Sequence, residues 1–382
     1  MNNRILLLST KSLRSFSAGF ISIVMPLVLS RDFGLSSFFV GLLLTLIVLS
    51  GATATYFSYK ISRLVKRKTA MVIFSLVSAV SAAGMFLTDS ALLFAIFAVF
   101  SFLSVNGTDI GPTLALENSA LSDASYGKNT KYFSAYNMLG NASIALGAIS
   151  VFFFRYQPLR FFFLVFLVIS LVSALFYFLL REGRAVKPHV EEKRSSEKIH
   201  KLALLFSIDS FGGGFTLQAI VAYFFFIRFG VSASQLGLVF FAANVLVTVS
   251  YYFSYALSKR IGLIRTMVFT HIPSNVFLLL IAITPTSAIA IVLYLLRESL
   301  AEMDIPPRQA YTMMVIPKAE RNRASAVTHS ARMYSQSFSP VLSGVLMQTV
   351  SAGVPFIFGG SLKIAYDLLI FKGFKDVKTV SK

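Results

Sequence analysis

The sequence predicts an all-α integral membrane protein, twelve transmembrane helices in two pseudo-symmetric six-helix bundles. Three observations lead there. Of 382 residues, 56% are hydrophobic and 13% charged. A soluble domain carries about 45–50% and about 25%, so too little polar material remains here to cover a water-soluble body. Each bilayer crossing takes ~20 apolar residues, and twelve crossings leave roughly a dozen residues for each connection. The two halves of the chain also repeat one another.

Cut at charge clusters and at Gly, Pro, Asn and Asp punctuation, the apolar runs give helices at 9–30, 36–59, 69–87, 91–116, 131–154, 159–180, 201–227, 233–258, 264–283, 287–307, 323–350 and 353–371. The stretch 182–200 (EGRAVKPHVEEKRSSEKIH) carries charge of both signs and separates six helices from six. The expected organisation is an amino-terminal bundle at 1–181, a cytoplasmic linker at 182–200, a carboxy-terminal bundle at 201–371 and a cytoplasmic tail at 372–382. The first apolar run has the hydrophobicity of a signal peptide, but Arg14 interrupts it and no A-x-A site follows, so it reads as the first helix.

Orientation follows from the basic residues. The formal net charge is +19. In a soluble protein such an excess points to nucleic acid; in a membrane protein it sets topology, and no nucleic-acid partner is expected. With the amino terminus inside, 27 of the 35 Lys and Arg fall on cytoplasmic segments and four (Arg31, Arg155, Arg160 and Arg228) fall outside. That asymmetry places both termini in the cytoplasm of a multi-pass protein of the cytoplasmic membrane. The chain has no cysteine, which excludes disulfides, cysteine zinc sites, iron–sulfur clusters and a thiol nucleophile. It has no H-E-x-x-H, Walker loop, G-x-S-x-G or dinucleotide fingerprint either, so no enzyme activity, cofactor or metal is expected.

The internal repeat is ordered and ungapped. Phe33-Gly34-Leu35-Ser36 matches Phe229-Gly230-Val231-Ser232, and Tyr56-Phe57-Ser58-Tyr59 matches Tyr252-Phe253-Ser254-Tyr255, with nine identities over the 27 positions from 33 to 59 at offset 196. Asp109-Ile110-x-Pro112 matches Asp304-Ile305-x-Pro307 at offset 195. An even number of helices per repeat preserves orientation, so the two copies are parallel about an axis along the membrane normal.

Ionised side chains inside the bilayer cost a few kcal/mol or more, so each needs a partner or a task. Arg14 falls in helix 1, Asp109 in helix 4, Asp209 in helix 7, and Arg297, Glu298, Glu302 and Asp304 in helix 10. At ~1.5 Å per residue, Arg297 and Glu298 lie near the midplane, the place for a substrate or coupling layer. One or two helical turns beyond Gly212-Gly213-Gly214, Gln218 is a neutral contact for the same layer. Arg14, Asn106, Asp109, Asp209, Glu302 and Asp304 lie deeper toward the cytoplasm and read as a vestibule or gate. Glu298 and Glu302 share a helical face, which suits proton coupling, unless an arginine neutralises Glu298 and Glu302 merely caps the helix. Arg297 reads either as a substrate anchor or as a lock on helix 10. Gly212-Gly213-Gly214 allow either close helix packing or a local break. Lys363 and Asp367, spaced i,i+4, are expected to neutralise one another, and His271 and His329 read as lone interfacial hydrogen-bonders.

The stretches RSFSAGF…MPLVLSRDFGLS (14–36), FSIDSFGGGFTLQ (206–218) and MDIPPRQAYTMMVIPKAERNRASAVT (303–328) make the chain resemble a twelve-helix member of the major facilitator superfamily over essentially its whole length, nearest an uncharacterised prokaryotic branch. The resemblance implies that helices 1, 4, 7 and 10 line a central cavity, and that the two bundles alternate access to it. The family signature G-x-L-A-D-R-x-G-R-R between helices 2 and 3 is degenerate: Ser58, Ser62 and Val65 replace Gly, Asp and Gly, while Arg63 and Lys66-Arg67-Lys68 remain. The second copy keeps Leu257, Arg260 and Gly262, with Lys259 in place of the acid. Arg63, Lys259 and Arg260 are therefore the expected gate-loop residues. Helix 5 has Gly140 and Gly147 with no following Pro, which removes the antiporter motif. The implied function is secondary transport of a small solute, with protons and lipid as further partners and the monomer as the working unit. An uncoupled facilitator and a non-transporting sensor or scaffold are the alternatives.

Overall fold

A computed structural model describes residues 3–108, 111–124, 129–181, 197–315 and 321–374; they form sixteen helical segments and no strand. The first half contributes α1 (Asn3–Arg31), α2 (Ser37–Val65), α3 (Arg67–Leu87), α4 (Ala91–Phe100), α5 (Pro112–Ala124), α6 (Asn129–Phe153) and α7 (Phe161–Phe178). The second contributes α8 (Glu197–Gly214), α9 (Gln218–Phe229), α10 (Ala233–Ile261), α11 (Leu263–Ile283), α12 (Ser287–Ala301), α13 (Ile305–Val315), α14 (Arg321–Ser337), α15 (Ser339–Thr349) and α16 (Val354–Phe374).

Among the described residues, nine helical stretches are long and apolar enough to cross a bilayer, α8 and α9 counting together as Ile199–Phe229. The other three expected crossings are divided, as α4/α5, α12/α13 and α14/α15. The helices expected as continuous at 91–116, 287–307 and 323–350 are thus each two segments. Proline is the cause. Pro112 opens α5, Pro306-Pro307 open α13 and Pro340 sits in the first turn of α15. A proline has no N–H to continue the preceding ladder and is preorganised to start a new helix. The fourth crossing also runs further than expected, to Ala124 rather than 116.

The internal repeat survives into the backbone. Shifting α2 by 196 residues gives the bounds of α10, and the same shift carries α3 onto α11 and the start of α4 onto the start of α12. Four of the positive-φ residues obey the same shift: Gly34 (φ +63°) and Gly230 (φ +64°) before the second helix of each copy, then Lys66 (φ 65°) and Gly262 (φ 88°) after it. Neighbours repeat too. α1 packs on α6 as α8 packs on α14, and α3 packs on α7 as α11 packs on α16.

Contacts divide the chain into two units: Met1–Val190 with Leu217–Phe226 and Val231–Phe241, and Glu191–Thr216 with Ile227–Gly230 and Ala242–Lys382. In the first, Leu6, Met71, Phe74, Leu116, Tyr136 and Tyr177 are among the side chains of a buried cluster. There α1 and α6 touch backbone to backbone: a Cβ on Gly19 would fall 2.1 Å from the Ile144 carbonyl, and one on Gly147 would fall 1.9 Å from that of Phe16. The same unit takes in parts of crossings seven and eight. The Ala219 N–H donates to the Val105 carbonyl at 3.2 Å, and the Ser37 and Tyr223 hydroxyls bond at 2.9 Å. In the second unit Ile199, Phe206, Met267, Tyr311, Tyr366 and Ile370 form part of the corresponding cluster. Large apolar side chains such as Val80, Leu92, Phe153, Tyr252 and Ile283 face outward, as helices bathed in acyl chains require.

Lys66 holds φ 65°, ψ 148°, where its repeat mate is Gly262 at φ 88°, ψ 164°. A side chain in that region costs about 1–3 kcal/mol. Replacing Lys66 with Gly is expected to raise unfolding stability in lipid nanodiscs by roughly that amount. Gly262→Ala, with no atom within 4 Å of its new Cβ, is expected to lower it, so the two variants should move the thermal midpoint in opposite directions.

Candidate functional site

Each unit has a buried carboxylate surrounded by donors from several crossings. In the first unit that carboxylate is Glu117 on α5, 0% exposed. Arg14 on α1 grips it as a fork, with Nη1 2.6 Å from Oε1 and Nη2 donating to Oε2 at 2.8 Å. The Tyr177 hydroxyl on α7 donates to Oε1 at 2.6 Å, and the Thr10 and Tyr136 hydroxyls donate as well. Tyr177 also accepts from Arg14. Crossings one, four, five and six are thus tied at one point. A paired, multiply hydrogen-bonded carboxylate is the form in which a buried charge is tolerated.

In the second unit the hub is Asp209 on α8. Arg308 on α13 donates to its Oδ2 at 2.7 Å and lies 3.1 Å from Asp304, four residues earlier. Lys363 Nζ (3.8 Å), Arg332 Nη2 (3.9 Å) and His271 Nε2 (4.0 Å) approach the same carboxylate from α16, α14 and α11. His271 is buried, with Nδ1 2.8 and 3.0 Å from the two oxygens of Asp367, and the Arg332 Nε donates to Ser210 Oγ at 2.7 Å. Asp209, Asp304 and Asp367 are therefore matched by Arg308, Arg332 and Lys363.

Arg297 sits ten residues into α12, next to Glu298. Arg297 Nη1 donates to the Glu298 carboxylate, and both side chains are buried (5% and 8% exposed) beside Tyr294. Arg297 Nη2 reaches Thr216 Oγ1 at 3.3 Å, in the three-residue gap between α8 and α9. Thr216 in turn donates to the Gly213 carbonyl at 3.0 Å. The glycines before that gap also pack closely: a Cβ on Gly212 would fall 2.7 Å from Lys363 Cγ, and one on Gly214 would fall 2.4 Å from Ser339 Oγ. Close packing and a local break, posed as alternatives for Gly212–Gly214, both occur.

Other expected residues are placed as follows. Glu302 is the residue after α12, and Asp304 precedes α13, so neither lies on the single straight helix that the depth reckoning assumed. Gln218 opens α9 and belongs to the first unit. There its Oε1 closes on Gly107 and its buried Nε2 has no hydrogen-bond partner, as is true of Asn106 Oδ1 nearby in the sequence of the fourth crossing. Asp109 and the side chain of Arg63 lie outside the described residues. Lys259 and Arg260 are exposed in the last turn of α10, with Lys259 Nζ 4.4 Å from the Tyr255 ring centre. Lys363 and Asp367, expected to neutralise each other, pair instead with Asp209 and His271. His271 is consequently a buried member of the network rather than an interfacial residue. Among the described residues, no group of three His, Asp or Glu is placed to hold a metal.

Two residues of these networks escape a reading by composition. Glu117 falls just past the expected end of helix 4, and Arg308 falls among the basic residues that set topology. For both, the available signal is a buried opposite charge that lacks a partner: Arg14 on the first helix and Asp209 on the seventh.

The family model described as Major Facilitator Superfamily matches residues 7–297. The chain belongs to that superfamily. It is similar to the Uncharacterized membrane protein YJR124C of Saccharomyces cerevisiae, 21% identical over 332 residues and 74% of each chain. The nucleoside transporter NupG superimposes with a TM-score of 0.75 at 13% identity, covering 99% of this chain and 100% of that one. A D-xylose-proton symporter superimposes at 0.75 with 12% identity, covering 96% and 97%. Likeness at such low identity speaks to fold alone, and it is the twelve-helix transporter fold. The protein is a membrane transporter of this superfamily and not an enzyme.

Removing one partner from a buried ion pair leaves an uncompensated charge and costs about 3–5 kcal/mol, whereas replacing both by apolar residues is often neutral. Glu117→Ala is expected to destabilise the protein by that amount in denaturant unfolding. The Arg14→Met, Glu117→Leu double variant should recover most of the loss. Equal losses in single and double variants would mean that Glu117 is not what holds Arg14.

Proposed function

We propose that the protein is a secondary transporter that moves a small polar solute across the cytoplasmic membrane by alternating access, coupled to protons. In this reading both termini are cytoplasmic and the monomer is the working unit. The bundles at 1–181 and 201–371 move as two bodies joined by 182–200. Arg297, Glu298 and Gln218 form the substrate and coupling layer. Arg14, Asn106, Asp109, Asp209, Glu302 and Asp304 belong to the vestibule, and Arg63, Lys259 and Arg260 to the gate loops.

The observation that carries the reading is the buried Arg297–Glu298 pair tied to the gap in crossing seven through Thr216. A solute group that accepts from Arg297 competes with Glu298, and a carboxylate deprived of its cation inside a bilayer takes up a proton rather than stay charged. Binding of solute and proton are then linked through one guanidinium, while the break beside Thr216 supplies a backbone that two bodies can bend about. The charge balance also narrows the solute. Counting the expected acids against Arg14 and Arg297 alone favours cations, but Arg308, Arg332 and Lys363 neutralise the acids around Asp209. A neutral or zwitterionic polar solute fits better. The structurally similar nucleoside transporter and D-xylose-proton symporter fall in that range by their names.

The test is counterflow and gradient-driven uptake in proteoliposomes, with solutes drawn from a thermal-shift screen of nucleosides, sugars and small peptides. Glu298→Gln should keep counterflow and lose accumulation driven by a pH gradient. Arg297→Ala should lose solute-dependent stabilisation. A wild type indifferent to the gradient would leave the uncoupled facilitator as the correct account.

A further inference from the structure

The first unit contains a small cavity that the solute layer does not explain. It has a volume of about 40 Å³ and lies among α1, α3, α5 and α7 and the residues that link α4 to α5. An occupant the size of a water molecule needs about 10–15 Å³ on this measure, so the cavity accepts one monatomic ion or a few waters and no larger solute.

The polar groups on its wall are biased toward donation. Ser75 on α3, Thr113 on α5, and Ser170 and Ser173 on α7 all line it. Ser173 is 1% exposed, and its Oγ has no hydrogen-bond partner. Arg14 also lines it, with its guanidinium engaged by Glu117 and Tyr177. Pro112 and Thr113, which also line the cavity, are the first two residues of the 13-residue α5. Pro112 has no N–H and the Leu114 N–H donates to the Gly111 carbonyl at 3.2 Å, so α5 brings to the cavity the Thr113 N–H and hydroxyl and the positive end of its dipole. Three other lining serines are already engaged: Ser17 donates to the Arg14 carbonyl at 2.7 Å, Ser78 to Ser101 at 2.7 Å, and Ser104 to Thr108. The nearby acid, Glu117, is not on the wall and is shielded by Thr10, Arg14, Tyr136 and Tyr177.

We propose that this cavity is a binding site for a small monovalent anion of the halide class, held by the hydroxyls of Ser75, Thr113, Ser170 and Ser173, the amino terminus of α5 and Arg14. The helix amino terminus on the wall and, among the described residues, the lack of a lining carboxylate favour an anion over a cation. A buried hydroxyl without a partner asks for an acceptor, and a halide takes several O–H and N–H donors at once without directional demands. Bound there, the anion would tie α3, α5 and α7 at a second point beside the Arg14–Glu117 fork. The site does not depend on which solute the protein carries.

The experiment is thermal unfolding of the full-length protein in uncharged-lipid nanodiscs, titrating sodium chloride or bromide into sodium gluconate at constant ionic strength. The expected result is a saturable rise in unfolding temperature with halide and none with gluconate. Chloride-35 line broadening by the protein should be displaced by bromide. A hydrogen bond to a charged group contributes about 1.5–3 kcal/mol, so Ser170→Ala with Ser173→Ala should weaken the halide midpoint about tenfold or more. Thr113→Val tests the α5 wall separately and should weaken it as well. Identical unfolding in chloride and gluconate would mean that the cavity holds water only. A halide effect untouched by both sets of variants would place the anion elsewhere; either outcome overturns the proposal.

Discussion

Everything in this fold has to accommodate the free energy of an ionised side chain held away from water. A lone carboxylate or guanidinium in hydrocarbon costs several kcal/mol, and the chain buries many. It meets the constraint by gathering charges to one carboxylate in each unit. Glu117 collects donors from α1, α6 and α7, and Asp209 collects cations from α13, α14 and α16 together with the His271 ring from α11. Because the donors come from several crossings, neutralising the charge and holding the bundle together are the same act. Apolar packing between membrane helices supplies no comparable specificity, since lipid tails compete for it equally.

The two hubs also show what an internal repeat preserves. Arg14 and Asp209 stand 195 residues apart, near the offset that maps α2 and α3 onto α10 and α11. Each pairs with the lower segment of the fourth helix in its own copy: Arg14 with Glu117 on α5, and Asp209 with Arg308 on α13. The polarity is reversed while the connection is kept. Retaining a buried bond between first and fourth helices, whichever side carries the cation, is what burial physics requires; the identity of either residue is not.

Most of the architecture is legible in the sequence because bilayer thickness fixes helix length and the two halves repeat at a constant offset. The helix count and the burial of Arg297 and Glu298 follow from those two facts. What remained hidden involves partners. A cut at residue 116, made where the apolar run ends, excludes Glu117, because a carboxylate at a helix end looks like a loop residue until its four donors are in place. Arg308 looks like one more cytoplasmic charge for the same reason. Lys363 and Asp367 satisfy the i,i+4 rule, yet Lys363 lies 3.8 Å from Asp209 and Asp367 lies 2.8 Å from His271, and a spacing rule within one helix cannot see across to α8 or α11. The divided crossings were marked by Pro112, Pro306-Pro307 and Pro340, but apolar continuity outweighs a proline when hydropathy alone is read.

These divisions have a consequence for how the protein can move. A continuous membrane helix satisfies its own backbone, so bending it means breaking hydrogen bonds in hydrocarbon. Where the ladder is already interrupted, as between α8 and α9 or between α12 and α13, that cost has been met in the resting state by side chains and by neighbouring backbone. Thr216 stands in the first of these gaps and Glu302 at the edge of the second, with Arg297 reaching the former. The residues proposed to meet the solute therefore sit where the backbone resists bending least. In the proposed mechanism, a solute that changes the partner of Arg297 acts beside these interruptions, where crossings seven and ten can respond without unravelling a helix.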